Sequence, residues 1–266
     1  MIAQRSTAPQ VFFAAALLVG VLVSPAPAHA RQPDPHQPYR QWARVLERFV
    51  NGRGEVDFHR LAGERADLDG FLEYVARVSP RTAPALFPDK DAALAYYINA
   101  YNALAMSNVI DSGFRHSLGG LYKVWFFGVK RFSVGGERMS LYALENDVIR
   151  PLGDERVHFA LNCMLASCPR LPREPFRADN LNRQLDDAAR EFFAESRNLQ
   201  VVTEQKLARV SSILKFYTQD FLAHGPTLIA YINKYASKNI PEDYRIEFLD
   251  YDWTVNDQRF RPLGAP

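Results

Sequence analysis

The sequence predicts an α+β fold: a mostly helical single domain that carries a small antiparallel sheet. Three observations carry that expectation. Apolar residues recur at spacings of three and four in several stretches, the longest from about Lys90 to Ile110. Shorter runs rich in β-branched and aromatic residues, Val124–Phe127 and Val129–Val134, are followed by the turn pair Gly135-Gly136. A composition of 47% hydrophobic and 23% charged residues is that of a folded globular chain, which argues against disorder, collagen-like repeats and coiled coils.

In chain order, residues 31–40 carry three prolines and read as an extended leader. From Gln41, Trp42, Val45, Leu46, Phe49 and Val50 make one helical face, stopped by Asn51-Gly52. Leu68, Phe71, Leu72, Val75 and Val78 make a second, ended by Ser79-Pro80. The long third helix ends at Asp111-Ser112-Gly113. After the β-like stretch, Ser140 caps a short helix over 141–150. Arg156–Cys163 alternates as a strand, with Val157, Phe159, Leu161 and Cys163 on one face and His158, Ala160 and Asn162 on the other. A helix over 179–196 follows, then a hairpin of Val201-Val202 with Leu207–Val210. Two further helices span about 211–222 and 226–237, the second with Pro226 in its first turn, and Tyr244–Trp253 reads as a final strand.

Residues 1–30 have the order of a secretory signal peptide. Arg5 is followed by an apolar stretch from Val11 to Val23 and by Ala28-His29-Ala30. The stretch falls short of the roughly 20 residues of a membrane-spanning helix, although an uncleaved N-terminal anchor is the alternative. The expected product starts at Arg31, folds as one domain over 41–260, has no membrane span after cleavage and is periplasmic or secreted. With 32 Lys+Arg against 30 Asp+Glu, nothing in the charge points to nucleic acid. No Walker or Rossmann glycine loop, zincin motif or Gly-x-Ser-x-Gly elbow occurs, so no cofactor is expected. Asp252, Asn256 and Asp257 lack the spacing of an EF-hand, and no metal is expected.

Several motifs stand together: Tyr97-Ile98-Asn99-Ala100-Tyr101-Asn102-Ala103-Leu104, Ser140-Leu141 leading to Glu145, Val157–Cys163 with Ser167-Cys168-Pro169, Lys215-Phe216-Tyr217 and Tyr251-Asp252-Trp253. Together they make the chain resemble the domain of unknown function 547 family, from about Glu55 to Trp253. The resemblance implies an exported bacterial member, since that family occurs as exported bacterial proteins and as domains of larger plant proteins. It implies no reaction. Two departures stand out: Glu145-Asn146 where the family often has Glu-His, and Val56-Asp57-Phe58 where it often has Val-Asp-Tyr.

The residues able to carry chemistry are few. Cys163 and Cys168, separated by four residues, pair readily in an oxidising compartment. A structural disulfide, a redox-active pair and a free thiol nucleophile are the three readings of them. On the strand reading, His158 points away from Cys163 while Cys168 carries no such restriction. Asn99 and Asn102 are poor helix formers in a good helix, so their amides either bond a neighbouring backbone or, with Tyr101, line a binding pocket. Glu145 stands at apolar spacing among Leu141, Leu144 and Val148, and either enters such a pocket or pairs with Arg150 or Arg156. Three functions follow. The first is a binding protein for a small molecule or an envelope partner, using Asn99, Tyr101 and Asn102. The second is a hydrolase or transferase of papain- or transglutaminase-like arrangement using Cys168, His158 and Glu145. The third is a thiol–disulfide protein using Cys163 and Cys168. Whether the chain is an enzyme stays open at this point.

Overall fold

A computed structural model describes residues 1–2 and 36–260. The segment expected to be a signal peptide and most of the expected leader lie outside the described residues. Over residues 36–260 the chain forms one compact unit.

The leader reading fails where it can be compared, because Gln37–Phe49 is already helix α1, with proline in its first turn. There a fixed φ and a missing N–H suit a helix start. A six-residue helix, α2 (Phe58–Gly63), is capped by Asp57, which accepts from Arg60 N; it is too short to show a period. Helix α3 (Ala66–Arg77) packs on α1. Helix α4 (Lys90–Asp111) starts on the Asp89 cap and is buried on every side from Leu94 to Ile110. A helix apolar nearly all round belongs at the centre of a fold, and α4 is the axis of the main core.

The β-like stretch folds differently from its composition. Val124–Phe127 lies in a single turn, α5 (Tyr122–Val124), that runs into a π-helical turn at Trp125–Val129. Only Phe126 of that turn is fully buried, so one inward anchor sets the segment and β propensity does not. The hairpin itself forms, β1 (Phe132–Val134) against β2 (Glu137–Met139). Gly135 (φ +56°) and Gly136 (φ +82°) make its turn. The turn docks on the end of α3, with Gly135 N and Gly136 N donating to Val75 O and Ala76 O at 2.8 and 2.7 Å. A Cβ at Gly135 would stand 2.1 Å from Ser79 Oγ, so glycine is required there.

Ser140 caps α6 (Leu141–Ala143), which continues as a π turn over Leu144–Ile149. Helix α7 spans Leu181–Ala194. Strand β3 (Leu199–Val202) pairs antiparallel with β4 (Leu207–Ser211), as expected. Helices α8 (Ser212–Phe216) and α9 (Thr218–Leu222) replace one expected helix, broken at Tyr217. In α10 (Leu228–Ile232) Thr227 is the cap, so Pro226 precedes the helix. The last strand, β5 (Arg245–Leu249), joins β4 in parallel. This sheet is therefore mixed, because the helical crossover from β4 returns the chain in the same direction.

Two apolar clusters result. One surrounds α4 and takes in α1, α3, the hairpin and α6; the other joins α7, α8, α9 and α10 to the mixed sheet. Between them runs the segment expected to be a strand. It is a 3-10 helix over Glu155–Phe159, and every residue from Val157 to Asn162 is buried. Val157 enters the first cluster and Phe159 the second. The alternation thus records a tight turn shared by two cores, with Asp154 holding Arg156 by charge and by its backbone N–H.

Candidate functional site

The site lies along that seam. Asn102 on α4 accepts from Asn162 N at 2.7 Å and donates to Ala160 O at 3.0 Å. Asn162 in turn accepts from Met164 N at 2.7 Å and donates to Pro169 O at 2.6 Å. These four bonds close the loop that carries both cysteines. Cys163 and Cys168 are joined as a disulfide, their Cα atoms 6.2 Å apart. A Cys168 nucleophile is thus unavailable in this state.

His158, with its side chain fully buried, is held by Asp220 of α9 through Nε2···Oδ2 at 2.8 Å. Its ring stacks on Tyr217 at 3.7 Å between centroids and meets Phe221 edge-on. Its Nδ1 is buried with no hydrogen-bond partner among the described residues. Arg150 grips the same Asp220 carboxylate through Nε and Nη2 at 2.8 and 2.7 Å. Hydrogen bonds from His158 and then Arg150 hold the Asp220 carboxyl well below the usual carboxylate range.

Glu145 is buried in the π turn after α6. Tyr101 Oη donates to its Oε2 at 3.0 Å, and Tyr217 Oη donates to its Oε1. Neither expected arginine reaches it: Arg150 is spent on Asp220, and Arg156 on Asp154 and Asp186. Burial, then the Glu145 charge, pushes both phenols well above their ordinary range. They therefore act as neutral donors across the physiological range. Tyr251 Oη completes the group, 3.5 Å from Cys163 Sγ and 3.4 Å from Cys168 Sγ.

Glu145, Tyr101, His158, Tyr217, Tyr251 and both sulfurs line one small cavity of about 50 Å³. It adjoins a cleft of about 540 Å³ walled by Phe127, Tyr142, Phe216 and Trp253, with Lys123 and Arg150 also lining it. The opposite-face argument for His158 and Cys163 falls with the strand, since both line the same cavity. A second space of about 560 Å³, among Tyr39, Tyr74, Phe87 and Phe176, contains no buried carboxylate, imidazole or sulfur.

Of the sequence candidates, Glu145, His158, Tyr101, Cys163 and Cys168 come together. Asn99 does not join them. Its Oδ1 accepts from Trp42 Nε1 and Phe176 N, and its Nδ2 donates to Ala95 O and Phe176 O. Asn102 likewise serves backbone, one shell behind the cavity. Sequence reasoning missed Asp220 and the roles of Arg150, Tyr217 and Tyr251. A signal existed for one pair, because Tyr217 and Asp220 are three apart and so reach one neighbour from adjacent turns. Among the described residues no group of three or more His, Cys, Asp or Glu is placed to hold a metal ion.

Fold and site together define a mostly helical α+β domain whose loop disulfide borders an aromatic cleft over a buried carboxylate and imidazole. Residues 87–193 match the family described as Protein of unknown function, DUF547. The matched segment holds Asn99, Tyr101, Asn102, Glu145, His158 and both cysteines; Tyr217, Asp220 and Tyr251 come from beyond it. No curated protein and no solved structure matches the chain.

Proposed function

We propose that the protein is exported and that its aromatic cleft binds a small ligand, read at its inner end by Glu145. The observation that carries this is Glu145 itself, a buried carboxylate held by two neutral phenols beside a cleft of about 540 Å³. That size falls in the usual range for small-molecule sites, which pair apolar walls with a few fixed polar groups. The ligand chemistry that fits has a flat or apolar face for Phe216 and Trp253 and a hydroxyl or amine donor for Glu145. Neutral saccharides and small aromatic amines are the probes to use in a thermal-shift and calorimetric screen. Expected is a class of probe that raises the melting temperature of the wild type and loses at least tenfold in affinity in Glu145→Gln. If no probe binds, or if binding is indifferent to both Glu145→Gln and Phe216→Ala, the reading fails.

A catalytic reading is favoured by one separate observation, the His158–Asp220 pair with a buried, unpartnered Nδ1 beside Glu145. It does not need a cysteine. Turnover abolished by His158→Gln and retained in Cys163→Ala/Cys168→Ala would establish it over simple binding.

Export is supported by the disulfide, a bond that persists in oxidising compartments. Protein recovered from such a compartment is expected to begin at Arg31 and to have both cysteines blocked, as read by alkylation and intact mass. Reduction is expected to cost about 2 kcal/mol of unfolding free energy, because so short a loop constrains the unfolded chain only modestly and the Asn102 and Asn162 bonds survive it. A bond that opens near glutathione potentials would instead bring the thiol–disulfide reading forward.

A further inference from the structure

We infer that the segment from Leu121 to Arg131 is a docking surface for an anionic lipid membrane. The segment combines exposed apolar side chains with a run of cations. Leu121 is 91% exposed, Val124 and Val129 are each 56% exposed and Trp125 is 36% exposed. Between Asp111 and Glu137 the chain carries Arg115, Lys123, Lys130 and Arg131 and no carboxylate. Side chains as apolar as these, clustered within nine residues and facing water, are uncommon on a free surface.

The surface is built rather than loose. Phe126 is wholly buried beneath it, and its carbonyl accepts from Asn108 Nδ2 of α4 at 3.2 Å. Tyr122 stacks on Trp125 at 5.2 Å, and the Arg115 guanidinium lies 4.2 Å from the Tyr122 ring. Lys130 sits 5.8 Å from the Trp125 ring and 3.9 Å from the Asp111 carboxylate. A helical turn followed by a π turn therefore holds Leu121, Val124, Trp125 and Val129 outward on a fixed base.

The occupant follows from shape and charge. The apolar side chains are exposed together on one short segment, with Leu121 almost fully in water, and such a segment suits a deformable apolar layer better than a rigid groove. Cations around it match a negatively charged headgroup plane, and Trp with Tyr at its margin are the side chains that favour the membrane–water boundary. No helix among the described residues is long and apolar enough to cross a membrane, so contact is at the surface. Lys123 and Phe127 belong both to this segment and to the wall of the cleft, which places the cleft beside the membrane when the surface is engaged.

The test is co-sedimentation of the full chain, purified from an oxidising compartment, with vesicles of phosphatidylglycerol mixed with phosphatidylcholine and with vesicles of phosphatidylcholine alone. Binding is expected to the anionic vesicles and to weaken steeply with salt. Leu121→Asp should lower the partition coefficient about tenfold or more, and Arg131→Gln about fivefold, both at unchanged melting temperature. Wild type and variants come from the same compartment and share one N-terminus, so any contribution of the N-terminal segment cancels in the comparison. The proposal is overturned if the wild type ignores anionic vesicles, or if Leu121→Asp binds as well as wild type. It is equally overturned if the apolar segment instead drives self-association, which sedimentation velocity without lipid would show, or binds an acidic peptide and not vesicles.

Discussion

Asn99→Leu is expected to lower the unfolding free energy by about 3–5 kcal/mol, read as a shift in the denaturant midpoint with an unchanged slope. The leucine fills a similar volume, so the cost lies in the bonds. Trp42 Nε1 and both backbone groups of Phe176 lose their partner, and all three bonds are buried. Each orphaned buried group costs about 1–3 kcal/mol, and some relaxation of the Pro175-Phe176 loop keeps the sum below the maximum. Ala95 O stays within reach of its own helical N–H and adds nothing. Asn99→Asp keeps the acceptor but loses the donor and buries a charge, so it should be no better tolerated. A loss under about 1 kcal/mol would show that the amide is not the tie between α1, α4 and this loop. Ligand affinity in the cleft is expected to survive the change in whatever fraction stays folded.

The second large effect centres on Asp220. Its carboxylate satisfies His158 Nε2 and two nitrogens of Arg150 at once. Asp220→Ala leaves a buried imidazole nitrogen and a half-buried guanidinium without it. Removing one member of a buried charged group typically costs about 3–5 kcal/mol. Asp220 is one-quarter exposed, so water relieves part of that, and a loss of about 2–3 kcal/mol is expected. The pH dependence has a definite sign. The folded-state pKa of Asp220 is depressed, first by His158 and then by Arg150. Its contribution is therefore complete above the ordinary carboxylate pKa of about 4 and declines as pH falls below it towards the folded value. Asp220→Asn should flatten the acid limb of the stability profile relative to wild type while changing the neutral plateau less than Asp220→Ala does. Parallel acid limbs in the two proteins would sink this account of the pair.

The candidate site was partly legible because its central residues are unusual where they stand. A carboxylate at apolar spacing, two cysteines before a proline and a histidine in an apolar run each stand out from a bland pattern. Glu145, Cys163, Cys168 and His158 were therefore found, and they line one cavity. Their partners were not legible. Tyr217 stacks on His158 from 59 positions further along the chain, and Asp220 reaches it from 62 away. Nothing local in Lys215-Phe216-Tyr217 announces either contact. Asn99 and Asn102 illustrate the converse. Their helix-disfavoured amides signalled that they are used, and the tertiary structure decided that they are used on backbone and, for Asn99, also on the Trp42 indole.

What the sequence determined alone is the local layer. Capping and turn residues act on the backbone nearest them, so Ser140 and Gly135-Gly136 mark their elements without help from the fold. The 3.6-residue period of α1, α3 and α7 is similarly a property of the local sequence itself. The tertiary structure decided the rest where one residue serves two environments. Val157 and Phe159 alternate like a strand yet sit on a 3-10 turn because each is claimed by a different core. Trp125 and Val129, strand-like in composition, lie in a π turn because Phe126 alone is drawn inward. Backbone conformation at such positions follows the direction of burial, and that direction exists only once the neighbouring elements have packed.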